Sequence, residues 1–280
     1  MKQTASRVGG LLREWRHRRN LSQLDLALEA DISARHLSFL ETGRSQPSRE
    51  MVLGLAARLA VPLREQNALL IAAGYAPVFL EHSFTDPALT AARQAVELVL
   101  SGHEPYPALA IDRHWTMIAA NRAIAPLLGG VASDLLLPPV NVLRLSLHPE
   151  GLAPRITNLS QWRTHLLDRL RQQTNSTADP VLQELYQELM NYPASLGSPA
   201  PLGSSVSHSG LAAPLSSLGQ EAGIVVPLQL MTPGGSLTLL STTTVFGMPL
   251  DVTLSEIAVE AFFPADDASA TILREFAATS

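Results

Sequence analysis

The chain is 280 residues long, with 46% hydrophobic and 16% charged residues, which suits two globular domains with a core each. It contains no cysteine, so disulfides, thiolate catalysis, cysteine-bound zinc and iron–sulfur clusters are excluded. No stretch has the roughly 18 uninterrupted apolar residues of a membrane helix, and residues 1–19 do not resemble a secretory signal, so a cytoplasmic protein is expected.

The net charge of −5 is unevenly distributed along the chain. Residues 1–74 contain 11 Lys and Arg against 7 Asp and Glu, whereas the remainder contains 9 against 18. A polyanionic partner is therefore expected to meet the N-terminal part of the chain.

The first seventy-odd residues show the apolar periodicity of five short helices. The first helix is predicted over residues 7–19, and the fifth ends near Gly74. The second helix, 23–30, is predicted to bury three apolar side chains, Leu24, Ala27 and Leu28. Each of the three middle helices follows a serine that can cap its first turn: Ser22, Ser33 and Ser48.

The second and third helices are short and lie only three to four residues apart, with Gly43 placed to end the third. Two such helices form a helix-turn-helix unit, whose second helix enters the major groove of DNA. The stretch from Leu21-Ser22-Gln23 through Leu40-Glu41-Thr42-Gly43-Arg44 to Pro47-Ser48 strongly resembles the phage-repressor-like XRE family. The resemblance covers most of residues 7–73.

That resemblance implies which residues would meet DNA. The exposed positions of the recognition helix are Ala34, Arg35, His36 and Phe39. Phosphate contacts, or support for them, are implied for Gln23, Ser33 and Arg44. The family usually has glycine at the turn position held here by Asp31, a residue that tolerates the left-handed conformation.

Arginine is the residue best suited to a bidentate contact with guanine, so Arg35 is the leading candidate for reading a base. Arg16 and Arg19 could add contacts to the DNA backbone, as could Arg18. A solvated helix face explains these three arginines equally well, and Phe39 could pack rather than read a base.

Four prolines around a helical run at 88–100 predict a helical linker, 75–107, between a helix-turn-helix domain at 1–74 and a second domain at 108–280. In the second domain, strands are predicted near 108–111, 115–119, 224–231, 236–246 and 257–263. Helices are predicted from Asn121 and over 161–171 and 181–190, with a short one at the C-terminus. Residues 141–147 fit a strand or a helix. The Ser/Gly/Pro-rich stretch 194–223 is interpreted as a flexible insertion.

This mixture predicts an all-α N-terminal domain and an α+β C-terminal domain, with an antiparallel sheet covered by helices. Pro107-Ala-Leu-Ala-Ile-Asp-Arg-His-Trp115, Asn141-Val-Leu-Arg144 and Ser241-Thr-Thr-Thr-Val-Phe-Gly247 resemble the ligand-binding domain of MmyB-like bacterial regulators. The resemblance spans about residues 88–275, apart from the insertion. It implies a PAS-like fold and an apolar pocket that frequently takes fatty-acid-like ligands.

No catalytic constellation is found among the eight histidines, and the chain has no nucleophile elbow, Walker loop or dinucleotide fingerprint after a strand. The sequence therefore predicts neither an enzyme nor a metal or cofactor site. A ligand pocket is the better-motivated site. Its candidate lining and contact residues are Asn121, Leu143, Trp162, Leu166, Thr243 and Phe246, and its candidate carboxylate anchors are Arg144, His148 and His165.

Simpler interpretations stay open for several of these residues. Leu143, Trp162 and Leu166 fit an ordinary core, His148 fits a surface loop, and Asn121 fits the start of a helix. Two functions are consistent with the sequence. The first is a homodimeric regulator that binds double-stranded DNA at an inverted-repeat operator and senses a small apolar ligand. The alternative is a DNA-binding regulator whose C-terminal domain serves only for dimerisation or protein interaction.

Overall fold

The computed structural model describes residues 2–193, 226–246 and 251–279. Two compact units are present. The first contains residues 2–86, 173–179 and 251–255, and the second contains 87–172, 180–193, 226–246 and 256–279. The insertion predicted at 194–223 lies outside the described residues. Residues 75–86 of the predicted linker belong to the first unit, and its helix belongs to the second.

Five helices form the body of the first unit: α1 (Lys2–Arg18), α2 (Gln23–Glu29), α3 (Ala34–Glu41), α4 (Arg49–Arg58) and α5 (Leu63–Ala72). The predicted serine caps are confirmed, because each hydroxyl accepts a hydrogen bond from the backbone N–H three residues later. The turn and the helix end are also confirmed, since Asp31 and Gly43 adopt left-handed φ angles of 54° and 71°.

The orientation of α2 differs from the prediction. Ala27 is buried as expected, but Leu24 and Leu28 are 59% and 71% exposed. The face that packs toward α3 instead holds Gln23, Leu26 and Ala27, of which the last two follow Gln23 by three and four residues. The two outward leucines share a different face of this seven-residue helix.

A five-stranded sheet organises the second unit, in the order β2-β1-β5-β4-β3 with all neighbours antiparallel. Its strands are β1 (Ala108–Ile111), β2 (Met117–Ala120), β3 (Leu228–Thr232), β4 (Gly235–Val245) and β5 (Ala258–Pro264). The predicted hairpin is confirmed, because Thr232 pairs with Gly235 at its turn. β5 is the central strand, so both of its edges are paired.

Helices cover this sheet, which confirms the α+β class: α6 (Thr90–Gly102), α7 (Val142–Leu147), α8 (Leu159–Thr177), α9 (Pro180–Met190) and α10 (Asp267–Thr279). The segment that fitted a strand or a helix is α7, and the Asn141 side chain caps it by accepting from the N–H groups of Leu143 and Arg144. Trp162, Leu166 and Leu170 of α8 enter one core with residues of the sheet. In the described part of the chain, no helix is long and apolar enough to span a membrane.

Candidate functional sites

Two cations gather around one aromatic ring on α3 and the turn that follows it. The guanidinium carbons of Arg35 and Arg44 lie 5.4 Å and 5.7 Å from the centre of the Phe39 ring. Both arginines are exposed, and the N–H of Arg44 donates to the Phe39 carbonyl at 2.8 Å. The negative face of the ring attracts cations, which offsets part of the electrostatic repulsion between the two guanidinium groups. This patch suits a polyanion.

The start of α3 borders the same patch. Ser33 accepts a hydrogen bond from the N–H of His36 at 3.1 Å, and Ala34 and His36 are half-buried in the first turn. A helix N-terminus favours anions, because its first N–H groups have no intrahelical acceptor. The Gln23 side chain donates to a Glu41 carboxylate oxygen at 2.7 Å, which holds it beside α3.

Arg16 and Arg19 make internal contacts. Arg16 is 7% exposed and donates to both carboxylate oxygens of Glu41, at 2.7 Å and 2.9 Å. Arg19 donates to the carbonyls of Leu59 and Ala60, where α4 ends, at 2.7 Å and 2.8 Å. Phosphate contacts by these two arginines stay a prediction, which their present hydrogen bonds do not favour.

The Arg16–Glu41 pair holds the end of α3 against α1. Burial by itself raises the pKa of Glu41, but hydrogen bonds from Arg16 and Gln23 outweigh it and lower the pKa overall. A carboxyl with a depressed folded-state pKa stabilises the fold above its unfolded-state pKa. That contribution is lost as the pH falls through the folded-state value. The pair is therefore fully effective at neutral pH.

The second unit contains a cavity of about 90 Å³ beside the inner face of the sheet. Nearly all of its lining is apolar, including Leu109, Trp115, Leu143, Trp162, Leu166 and Phe262. Apolar concavities with a few polar groups are the usual form of small-molecule sites. Trp115 lies in the left-handed region, with a φ of 65°, which is uncommon for a bulky residue and typical of functional sites.

One ion pair forms the charged part of this cavity. Glu260 on β5 is 4% exposed and accepts from Arg169 Nη2 at 2.7 Å and from the Thr243 hydroxyl at 2.9 Å. The guanidinium carbon of Arg169 lies 4.8 Å from the centre of the Trp115 ring. Elsewhere in the lining, the indole N–H of Trp162 donates to the Ser146 hydroxyl at 2.9 Å.

The structure separates the predicted ligand residues into two groups. Leu143, Trp162 and Leu166 line the cavity, and Thr243 hydrogen-bonds the Glu260 that lines it. Asn121, Phe246 and the three proposed carboxylate anchors are not part of the lining. Asn121 instead holds backbone groups together, accepting from the Ala108 N–H and donating to the carbonyls of Leu100 and Tyr106.

The three proposed anchors have other partners. Arg144 makes a two-pronged contact with Glu188, at 2.8 Å and 2.7 Å. The His148 ring packs edge-on against Tyr192 at 5.1 Å. His165 lies 5.5 Å from the Trp162 ring, and burial, followed by the nearby charge of Arg169, lowers its pKa, so it is neutral at pH 7. Their contacts do not favour the predicted role for any of the three.

Arg169 and Glu260 were not anticipated, although the sequence contains a signal for each. Arg169 follows Trp162 and Leu166 at helical spacing, so it extends their inward stripe. Glu260 is the one charge in the apolar run Ile257–Phe263, and a lone carboxylate in a central strand requires a partner. Within the described ranges, no three His, Asp or Glu side chains gather as metal ligands would.

A further ion pair lies in the first unit. His82 Nδ1 is 2.6 Å from Asp251 Oδ2, and Asp251 Oδ1 accepts from the N–H groups of Thr253 and Leu254 at the start of the short helix Val252–Ser255. The hydrogen bond to Asp251 raises the pKa of His82 above its ordinary value of 6.5. The pair therefore ties the segment after α5 to residues 251–255.

Because the folded-state pKa of His82 is raised, the pair stabilises the fold fully below about pH 6.5, and this contribution fades as the pH rises through the raised value. Wild type is therefore expected to exceed His82→Gln in melting temperature at pH 6, and by a smaller margin at pH 8.5. Asp251→Asn, which keeps Oδ1 for the two N–H groups, should remove the same pH dependence. A margin independent of pH would contradict a charged pair.

Comparison with known proteins yields two family matches. Residues 12–66 match the model of a helix-turn-helix domain, and residues 92–276 match that of the MmyB-like transcription regulator ligand binding domain. Among solved structures, the chain is similar to the clp gene regulator ClgR from Corynebacterium glutamicum. The identity is 25%, with 36% of this chain and 95% of that chain covered and a TM-score of 0.23. No curated protein matches the chain.

Proposed function

Because the chain belongs to the family of MmyB-like transcription regulators, we propose that a small apolar or fatty-acid-like ligand controls its sequence-specific binding to DNA. The observation that best supports DNA reading is the pair of exposed arginines held around Phe39 on α3. The observation that best supports ligand sensing is the apolar cavity of the second unit. Ligand binding would act by favouring one of two states that differ in operator affinity.

In this proposal the regulator binds as a homodimer to an inverted-repeat operator, with equivalent α3 helices about 34 Å apart. Arg35 reads a base, and Arg44, one turn beyond α3, contacts phosphate. Ser33 and His36 add contacts to DNA at the start of α3. Gln23 supports the position of α3, because its side chain donates a hydrogen bond to Glu41. Catalysis has no part in this function.

The main test is Arg35→Ala. After operator selection from a random DNA pool, fluorescence anisotropy should show operator binding weakened by about 1–3 kcal/mol, because a bidentate base contact is lost. Binding to random DNA should change much less. The matched variant Arg44→Ala should weaken both DNAs similarly and flatten the salt dependence by about one unit of slope.

Unchanged discrimination between operator and random DNA in Arg35→Ala would refute the base-reading assignment. An Arg44→Ala effect confined to one base pair would show instead that Arg44 reads sequence. Native mass spectrometry before and after organic extraction tests the sensor role, because a bound apolar molecule would appear as a removable mass on a dimer.

A second candidate is a C-terminal domain that only dimerises or binds protein. The observation that favours it is the exposure of Leu98 (72%) and Val99 (49%) on neighbouring positions of α6. Under this alternative, substituting both by serine would dissociate the dimer, and native mass spectrometry of the wild type would find no removable apolar mass. An unaffected dimer would leave the ligand sensor as the better explanation.

A further inference from the structure

The cavity already balances its own charge. Among the described residues that line it, the charged ones are Arg169 and Glu260, and these form an ion pair at 2.7 Å. We propose that the cavity takes an uncharged apolar molecule carrying a hydroxyl-type group, such as a long-chain alcohol, rather than an ionised fatty acid. This inference rests on the proposed ligand-sensing function and narrows its ligand class.

A ligand carboxylate would find no free cation here. Arg169 directs Nη1 and Nη2 to Glu260, at 3.4 Å and 2.7 Å, and also donates to the Thr243 hydroxyl at 2.9 Å. If the carboxylate took Arg169 for itself, it would leave the buried Glu260 charge without a partner, which is strongly unfavourable. If it shared Arg169, two like charges would meet in a medium of low dielectric constant.

The cations nearby do not offer an alternative anchor. Arg155 and Arg144 lie outside the lining of the cavity; Arg155 donates to the Leu127 carbonyl, and Arg144 contacts Glu188. His165 is neutral at pH 7, because burial lowers its pKa. A fatty carboxylate would therefore lose its hydration without gaining a compensating charge.

A hydroxyl group is better matched to the polar atoms of the lining. Ser241 lines the cavity, and its hydroxyl has no hydrogen-bond partner within the described chain. In the register of β4 with β5, Ser241 opposes Phe262 and Thr243 opposes Glu260. Ser241 and Glu260 are therefore diagonal neighbours on one face of the sheet, and the residues of such a pair are typically about 7–8 Å apart. A ligand hydroxyl between them can accept from Ser241 and donate to Glu260, whose Oε2 has only the 3.4 Å contact with Arg169.

The test compares 1-dodecanol with dodecanoate, two probes of equal chain length, on the delipidated full chain at pH 8. Trp115 and Trp162 line the cavity, so their fluorescence reports binding. Dodecanol is expected to bind wild type at least tenfold more tightly than dodecanoate. Ser241→Ala should weaken dodecanol binding about threefold to tenfold, through the loss of one hydrogen bond.

Glu260→Gln gives the sharper result, because it leaves the Arg169 charge unbalanced. This variant should bind dodecanoate at least tenfold more tightly than wild type does, which reverses the preference. The matched control Glu188→Gln frees Arg144, which lies outside the lining, and should leave the preference unchanged. The wild-type comparison requires no variant, so it decides the question even if Glu260→Gln folds poorly.

Each outcome has a distinct meaning. Equal or tighter binding of dodecanoate to wild type would overturn the inference, while the proposed ligand sensor would stand. Binding of neither probe, to wild type or to Glu260→Gln, would overturn both. Operator binding measured on the same samples separates these results from a misfolded preparation.

Discussion

Arg16→Ala is expected to destabilise the helix-turn-helix unit by about 3–5 kcal/mol, because it leaves the buried Glu41 carboxylate without its cation. The side chains of Arg16 and Glu41 are only 8% and 1% exposed, so the carboxylate has little contact with bulk water to replace the lost guanidinium. Urea unfolding of the full chain, followed by hydrogen exchange of the α1 and α3 amides, would measure the loss. Operator affinity should fall with it, since Glu41 is the last residue of α3.

Arg7→Ala is the matched control, because Arg7 is an exposed arginine on the same helix. It should change the unfolding free energy by less than about 0.5 kcal/mol. The double variant Arg16→Met/Glu41→Leu removes both charges and should recover much of the lost stability. Equal effects of the Arg16 and Arg7 substitutions would show that the buried pair has no special role.

Gly9→Ala is expected to destabilise the same unit by about 3 kcal/mol, because α1 and α3 touch through backbone at this point. A Cβ at Gly9 would lie 2.3 Å from the carbonyl oxygen of Leu40 and 2.7 Å from that of Glu41. Neither backbone atom can rotate away as a side chain would, so the helices must move apart. Thermal unfolding of the full chain would measure the cost, and anisotropy would measure the accompanying loss of operator binding.

Gly10→Ala makes the same chemical change one residue later and should have the opposite effect. Nothing lies within 4 Å of a Cβ at Gly10, which is exposed. Alanine is the better helix former, so stability should rise by about 0.5–1 kcal/mol. Similar melting temperatures for the two variants would mean that the close approach at Gly9 is not a constraint.

The sequence predicted the helix-turn-helix unit well because its signals are local. A serine cap, a left-handed Asp31 and a closing Gly43 each act within a few residues, and all three are found. The predicted buried face of α2 was wrong, because a helix of seven residues has too few apolar positions to show which of its faces points inward. The inward face of α2 includes the polar residue Gln23, whose side chain donates a hydrogen bond to Glu41.

The ligand site was harder to predict because its polar part joins residues far apart in the chain. Arg169 and Glu260 meet across 91 positions, and only the register of β4 with β5 brings Thr243 to the same carboxylate. Leu143, Trp162 and Leu166 could be placed because periodicity identifies inward faces. Periodicity does not show which inward side chains line a cavity and which lie in the close-packed core.

The contact between residues 80–82 and residues 251–255 has a consequence for how the protein is made. The carbonyls of Leu80 and His82 accept hydrogen bonds from the Val252 N–H and the Thr253 hydroxyl, groups that leave the ribosome more than 160 residues later. A nascent chain thus contains α1–α5 long before this part of the unit can be completed. A fragment ending at residue 86 would contain the recognition helix but lack this closing segment. Premature termination would therefore yield an incompletely stabilised DNA-binding unit, which proteases can remove before it competes for operators.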